Sequence, residues 1–442
     1  MARLGRGQPN RPTVRRSLVV PPPSGDLTVT GSADVTLTGT PGRSDDLTVT
    51  GAADVTLSGT KHTGIGVPPR PRTRWQLVLG PAAGGHELGL TEATGRKYTA
   101  RLNGNSDLSF SIDGRHPQAA EIGELSTDVH VLFSTASSTT ILDRCRVGGT
   151  GDDIDEDRHV TQVTCLDYRA VLDRRILYSA DTLTYTGVDQ LDLAWQLIQQ
   201  TQGKPGGALG ISKGFADGST GILRDRTYEA GDSIGQRVQE LSEVIDGFDW
   251  DILPASASSL LLQAWYPERG SDRGVVLEVG GLAATVNREA GTSDYANAIR
   301  YTGESLLAAV ESSAADLADP AAFPQGRWDG VFGDEGLTTQ AALDDRAAWQ
   351  LAQSQVPRPT YTVRLKAGGW EGPDHIWLGD TVRLIIPSGR LDVDSAYRVH
   401  EVEIAMDGNN SETVTLTLGG PRPDFRRWPS AIEQRLKNLE RR

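Results

Sequence analysis

The sequence predicts a mainly β protein with an α+β middle. Two β-barrel-like domains flank an α/β insert, a β-repeat arm precedes them and a short helix follows. Three observations carry this reading. Apolar and polar residues alternate at period two in runs such as "KYTARL", "DLSFSI" and "ETVTLTLG", as half-buried strands do. Helical spacing of apolar residues is confined to a few segments. The 442 residues include 50 Gly, with Thr and Val in short alternation, a composition that favours strands and turns over a helical bundle. A chain of this length is expected to form about three domains.

Residues 1–74 read as a basic arm. The first 25 are rich in Arg and Pro and lack periodicity. Then "DLTVTGSADVTLTGTPGRSDDLTVTGAADVTLSGT" repeats nearly letter for letter after twenty residues. Its apolar positions are Leu27, Val29, Val35, Leu37, Leu47, Val49, Val55 and Leu57, each set against Thr. Four short strands with one apolar face follow from that alternation. They are expected to form two small hairpins, because a solenoid generally needs three or more repeats. Eight medium side chains do not offset the ordering of so long a segment, so this face is expected to dock on another surface. A Pro/Arg linker ends near Arg74, and its prolines favour an extended path.

Residues 75–180 are expected to form the first β-barrel unit, with strands at "WQLVLG", "KYTARL", "DLSFSI", "DVHVLFS", "TTILDRCRV" and "HVTQVTCL". The acidic "GDDIDED" stretch lies between two of them and reads as a hairpin or loop tip.

Residues 181–290 are expected to be α+β. "DQLDLAWQLIQQTQ" sets Leu191, Trp195 and Ile198 on one helical face, and "DSIGQRVQELSEVIDG" does the same for Ile234, Val238, Leu241 and Ile245. Gly247 suits the left-handed position that stops a helix. "FDWDIL" then reads as a strand with Phe248, Trp250 and Ile252 on one side.

Residues 291–420 are expected to form the second β-barrel unit with a helical insert. "TTQAALDDRAAWQLAQSQV" has Thr338 as a candidate cap and aligns Leu343, Ala347 and Leu351. "DGNN" supplies turn chemistry between two late strands. Residues 421–442 form a basic tail whose Ser430 and Glu433 fit a capping box. Ile432, Leu436 and Leu439 make two turns of a heptad seam. So short a helix is marginal alone and is expected to dock on the body or on sister copies.

The net charge is −14, while both ends are basic. An acidic body argues against stable nucleic-acid binding, which needs Lys and Arg on phosphates. No apolar run approaches the roughly 20 residues of a membrane span, and the N-terminus has no signal-peptide core. The reading is a soluble protein made inside a cell. Cys145 and Cys165 could face each other across a hairpin; two free thiols are the expectation for a chain made in the cytosol.

The reactive motifs are absent or broken. Asp153, Asp155 and Asp157 match the start of a calcium loop, but Arg158 stands where Gly is needed and Thr164 where Glu is needed. Lys204 in "QGKPGG" is followed by Pro205, which rules out a phosphate loop. The seven His residues show no paired ligand spacing. No catalytic residue, metal site or cofactor is assigned. Trp75, Trp250, Trp265, Trp370 and Trp377 sit in or beside strand runs, where a core role is commoner than a sugar platform.

The order of segments is itself informative. "VTQVTCLDYRAVLDRRIL" ends the first β unit, and "GDSIGQRVQELSEVIDGFDWDI" and "YPERGSDRGVVLEVGG" follow. Next come "DYANAIRYTGE", a helix, "HIWLGDTVRLIIPSG" and "AYRVHEVEIAMDGNNSETVTLTLG". This order resembles the tail-tip hub proteins of long-tailed bacteriophages, often labelled minor tail proteins, and the wider class of baseplate hubs. The resemblance spans roughly Trp75 to Pro421. Its strongest elements are "GFDWDI", Asn297 in "ANAIRYTG", and Gly379-Asp380 before "TVRL".

The resemblance implies a homotrimer on the tail axis, with two related barrels per chain. Such a ring joins a hexameric tail tube to a three-fold tip and forms part of the genome-ejection channel. It implies the distal tail or tail tube protein, the tape-measure protein and other tip proteins as partners, with DNA only in transit. It places the chain at the virion tail tip, after synthesis and assembly in the host bacterial cytoplasm. Some relatives carry a peptidoglycan hydrolase after the hub; this sequence stops about twenty residues past its last strand, so no enzymatic activity is expected. The alternatives are a receptor- or carbohydrate-binding tail protein and a cell-wall-degrading tail enzyme.

Overall fold

In the computed structural model the described residues are 75–419, apart from 86–87, 136–137, 179–181, 245, 291–294, 304–305, 313, 322, 334–339, 356–358 and 408–410, together with four N-terminal strands. The chain divides into two compact units, Met1–Pro68 and Pro69–Arg442.

In the first unit the described strands pair between the two repeats and not as hairpins within them. Thr28–Thr30 pairs in parallel with Thr48–Thr50, and Val35–Leu37 with Val55–Leu57. One copy therefore pairs with the other strand for strand, which corrects the hairpin expectation. The alternation of Thr with Val or Leu specifies strands in either arrangement. Partner choice is tertiary information, and the near-identity of the copies lets every residue pair with its own kind.

The second unit is built on a 13-stranded sheet. Along the main path Ala283–Glu289 is followed by Thr360–Leu365, Glu412–Leu418, Leu391–Met406, Thr94–Arg101 and Asp107–Asp113. The path continues through His159–Leu166, Thr139–Ile154, Thr127–Ser134, Trp75–Pro81 and Leu88–Gly89. Asp272–Glu278 pairs in parallel with Thr381–Ser388, which lies antiparallel to the first half of Leu391–Met406. The two sets of strands therefore share one sheet. They are joined where Glu401–Ala405 pairs with Arg101–Lys97.

Two 16-residue strands organise the sheet. The first half of Thr139–Ile154 pairs with Thr127–Ser134 and its second half with His159–Leu166. Leu391–Met406 likewise changes partner along its length, with a bulge between Val399 and Glu401. Bulges bend a strand and increase its twist, which lets one long strand serve two differently inclined neighbours.

One hydrophobic core runs under both sets. It includes Trp75, Leu77, Phe133, Val163, Trp370, Leu384, Val402 and Leu416. The Phe133 and Trp370 rings, one from each set, lie 5.0 Å apart at 59°. Gly372 passes so close that a Cβ there would enter the Phe133 ring.

The middle segment has its own core. Leu191, Leu197, Ile198, Ile234, Val238, Leu241, Phe248, Trp250 and Ile252 pack together. They come from the helices Gln190–Gln202 and Ile234–Ser242 and from the strand Asp249–Pro254 with Phe248 just before it. Of the predicted faces Leu191, Ile198, Ile234, Val238 and Leu241 are buried and Trp195 is half-buried at the rim, while Ile245, beyond the helix end at Ser242, lies outside the described residues. Asp189 caps the first helix through the Leu191 N–H, and Ser233 caps the second through the Gln236 N–H. The left-handed residue after the second helix is Asp246, not Gly247. Gly247 is required for a different reason: a Cβ there would collide with the Ser242 carbonyl.

A third cluster joins the sheet of Ala298–Thr302, Leu307–Glu311 and Asp329–Gly333 to the helix Gln340–Ser354, through Ile299, Tyr301, Leu343, Ala347 and Leu351. Thr338 and the tail residues Ile432, Leu436 and Leu439 lie outside the described residues.

Candidate functional site

Polar groups buried where the packing bodies meet define the frame of the molecule. The first such junction is centred on Asp249 of the "GFDWDI" strand. One of its oxygens accepts from Asn103 Nδ2 at 2.5 Å. The other accepts from the Arg269 N–H at 2.6 Å and from the Arg398 guanidinium. Arg398 also donates to the Arg269 carbonyl at 2.7 Å and to the Gly379 carbonyl at 3.2 Å. Asn103 returns the contact by accepting from the Trp250 N–H at 3.1 Å. Asn103 follows a strand of the first set and Arg398 lies on the long strand of the second, so one carboxylate ties the middle segment to both.

Beside it, Arg169 donates to the Trp250 carbonyl at 2.5 Å and lies over the Trp250 ring, 3.8 Å from its centre. Asp167 caps the helix Tyr168–Asp173 by accepting from Ala170 at 2.7 Å and accepts from Ser106 at 2.6 Å. Burial pushes the Asp167 carboxyl up to about 7. His400 is pushed down to about 4, first by burial and then by the neighbouring Arg398 charge.

A second junction is centred on Asp128, which is fully buried. It accepts from Arg144 Nε at 2.6 Å, Arg146 Nε at 2.9 Å and the Tyr168 hydroxyl at 2.7 Å. Both arginines also donate to the Ala82 carbonyl. A buried ion is tolerated when its lone pairs are filled in this way.

The residues singled out by pattern have comparable roles. Asp380 accepts from Ser271 at 3.1 Å, Trp377 at 2.9 Å and Arg273 Nε at 3.1 Å. Gly379 and Gly270, both at positive φ, cross so closely that neither admits a Cβ. Asn297 is completely buried. It accepts from the Trp328 N–H at 2.7 Å and donates to the Gly326 carbonyl at 2.8 Å, closing the small third sheet.

The acidic stretch is a hairpin tip in which Ile154 is opposite His159. Its carboxylates hold the turn: Asp155 accepts from the Asp157 and Arg158 amides, and Asp152 from His159 and Thr161. Among the described residues no group of three or more His, Cys, Asp or Glu is placed to hold a metal ion, and no helix is long and apolar enough to cross a membrane. Cys145 and Cys165 are free and buried. They are not directly opposed, since the partner of Cys165 is Val147. Burial pushes both thiols up, which disfavours the thiolate form.

Trp75, Trp250 and Trp370 are core residues, and Trp265 and Trp377 are half-buried. An open groove on the middle segment is lined by Trp195, Gln196, Gln199, Asp192, Lys213 and Asp217. Trp195 shares a helical face with core residues, so its sequence context alone does not mark it as a ligand platform. Of the candidate docking residues, Val29 pairs with Val49, Val35 with Val55 and Leu37 with Leu57. Leu27 and Leu47 lie outside the described residues.

No known family matches the sequence, and no curated protein matches it by sequence. The fold does have counterparts, and they define its class: it is the fold of bacteriophage tail proteins. The tail protein from Neisseria meningitidis MC58 is 12% identical, with a TM-score of 0.54 over 78% of this chain and 96% of that one. The 43 kDa tail protein of prophage MuSo2 from Shewanella oneidensis is 12% identical, with a TM-score of 0.53 over 79% and 99%. Prophage tail protein gp18 from Listeria monocytogenes EGD-e is 12% identical, with a TM-score of 0.50 over 82% and 99%. The expected likeness to phage tail proteins is met at the level of the fold.

Proposed function

We propose that this chain is a structural protein of a phage tail tip: a homotrimeric hub that joins the hexameric tail tube to the three-fold tip and lines part of the ejection channel. The observation that carries the reading is the match of nearly the whole length of three tail proteins to this fold. The architecture supports it. Two strand sets fused into one sheet, with the middle segment pinned to both through Asp249, make a continuous body suited to a joint between larger assemblies. On this reading the work is assembly, without catalysis or a cofactor. The tube or distal tail protein, the tape-measure protein and other tip proteins are the neighbours, and the basic arm is a docking element. The seam of Ile432, Leu436 and Leu439 contributes to self-association.

The test is the mass of the purified chain together with imaging of intact particles. A three-fold ring at the tail end is expected. A monomer absent from tails overturns the proposal. Deleting residues 1–74 should leave a folded trimer that does not enter tails.

A second reading, a receptor- or carbohydrate-binding tail protein, is favoured only by the groove beside Trp195, where an aromatic face meets amide and carboxylate groups. Titration of the trimer with soluble cell-wall glycan tests it. Binding lost in Trp195→Ala supports this reading, and no binding to the unmodified chain removes it.

A further inference from the structure

The N-terminal repeats pair in parallel with a shift of twenty residues, and every Cα partner is its own kind. Thr28 is opposite Thr48, Val29 opposite Val49 and Thr30 opposite Thr50; Val35, Thr36 and Leu37 are opposite Val55, Thr56 and Leu57. Each repeat copy, here called a coil, contributes one strand to each of two sheets, and both sheets are two-stranded among the described residues. A strand has hydrogen-bonding groups on both edges. In each sheet one edge of the first coil pairs with the second coil, and among the described residues no strand pairs with the opposite, outer edges.

The near-identity of the coils has a geometric consequence. The edge that the second coil turns outward is equivalent to the edge that the first coil turns inward. The first coil's inward edge is already satisfied by a strand of this sequence, in this register. The outward edge of the second coil is therefore complementary to the first coil of another chain. The strand segments TVT and VTL carry no Lys, Pro or acid, the residues that normally protect an edge from pairing. Two coils are also fewer than the three a solenoid generally needs, so extension supplies the missing neighbour.

We infer that the arm binds a second copy of itself head to tail, the second coil of one chain pairing in parallel with the first coil of the next. Such a contact is heterologous and does not close on itself after one step. It goes beyond the hub reading and does not depend on the trimer.

The test uses the full chain with single cysteines. Thr48→Cys in one chain and Thr28→Cys in another would sit opposite each other at the strand spacing of roughly 4.8 Å, within the Cα range a disulfide takes. Chains of different tag length are mixed and mildly oxidised. A mixed Thr28→Cys/Thr48→Cys dimer at least severalfold above either self-dimer is the expected result. Self-dimers equal to the mixed species, or no mixed species, overturn the proposal. A second measurement is independent of how the variants fold. The sedimentation mass of the unmodified chain should grow with concentration beyond that of a chain lacking residues 1–68, and equal concentration dependence overturns the proposal.

Discussion

The Asp249 carboxylate receives the Arg398 guanidinium, 149 residues further along the chain. The pair closes a junction that also takes in Asn103 and the Arg269 backbone. It is mostly removed from water, with the Asp249 side chain 7% exposed. Removing one partner of such a pair leaves an uncompensated charge and costs about 3–5 kcal/mol. Asp249→Ala is expected to lose that much in urea unfolding. The loss should be accompanied by faster amide exchange in Leu391–Met406 and Asp249–Pro254. An unchanged midpoint would show that the junction does not hold the frame.

Gly379 and Gly270 test the close backbone crossing. Gly379→Ala meets both a left-handed φ of 85° and the Arg269 carbonyl. Gly218 also has positive φ, 63°, but open space around it. The conformational cost alone is about 1–2 kcal/mol. Gly218→Ala should lose about that, and Gly379→Ala distinctly more, by the same denaturant measurement.

The two perturbed groups near the junction act in opposite directions with pH. His400 is pushed down to about 4 from an ordinary 6.5, so the unfolded chain takes up a proton that the folded chain refuses. Its contribution to stability is present above about 6.5 and lost as pH falls toward 4. Asp167 is pushed up to about 7 from 3.8, so its contribution is present below about 4 and lost as pH rises through 7. His400→Gln should move the acid unfolding midpoint to lower pH. Asp167→Asn should flatten the decline in stability between pH 4 and 7. Thermal midpoints measured across pH 3–8 separate the two.

Under the proposed trimer, a charge in the tail seam should break self-association without unfolding the body. Leu436→Asp combined with Leu439→Asp is expected to convert the trimer to smaller species on sedimentation, with unchanged near-ultraviolet circular dichroism. A trimer that survives the double change assigns the contact to the body.

Much of this was legible from local pattern. The strand Asp249–Pro254 shows period-two alternation, and Phe248, Trp250 and Ile252 are buried together as that alternation requires. Ile234, Val238 and Leu241 are buried at helical spacing. Asn297 and Asp380 were recognisable as unusual but not as hydrogen-bond centres, since their partners lie in Gly326, Trp328, Ser271 and Trp377. The error over the repeats has the same origin. Alternation names strands and their apolar side, and it is silent on whether a strand pairs with its neighbour in sequence or with its counterpart twenty residues away.

By itself the sequence determined the element types of the body, the buried faces of its middle helices and strand, and the repeat period, because these follow from side-chain spacing along a helix or a strand. The tertiary structure alone decided that the strands at 272–278 and 283–289 pair with Thr381–Ser388 and Thr360–Leu365 far along the chain, that both strand sets share one sheet and one core, and that Asp249 meets Arg398. Those contacts depend on chain reversals and on packing between distant segments, and no short window of sequence contains both partners.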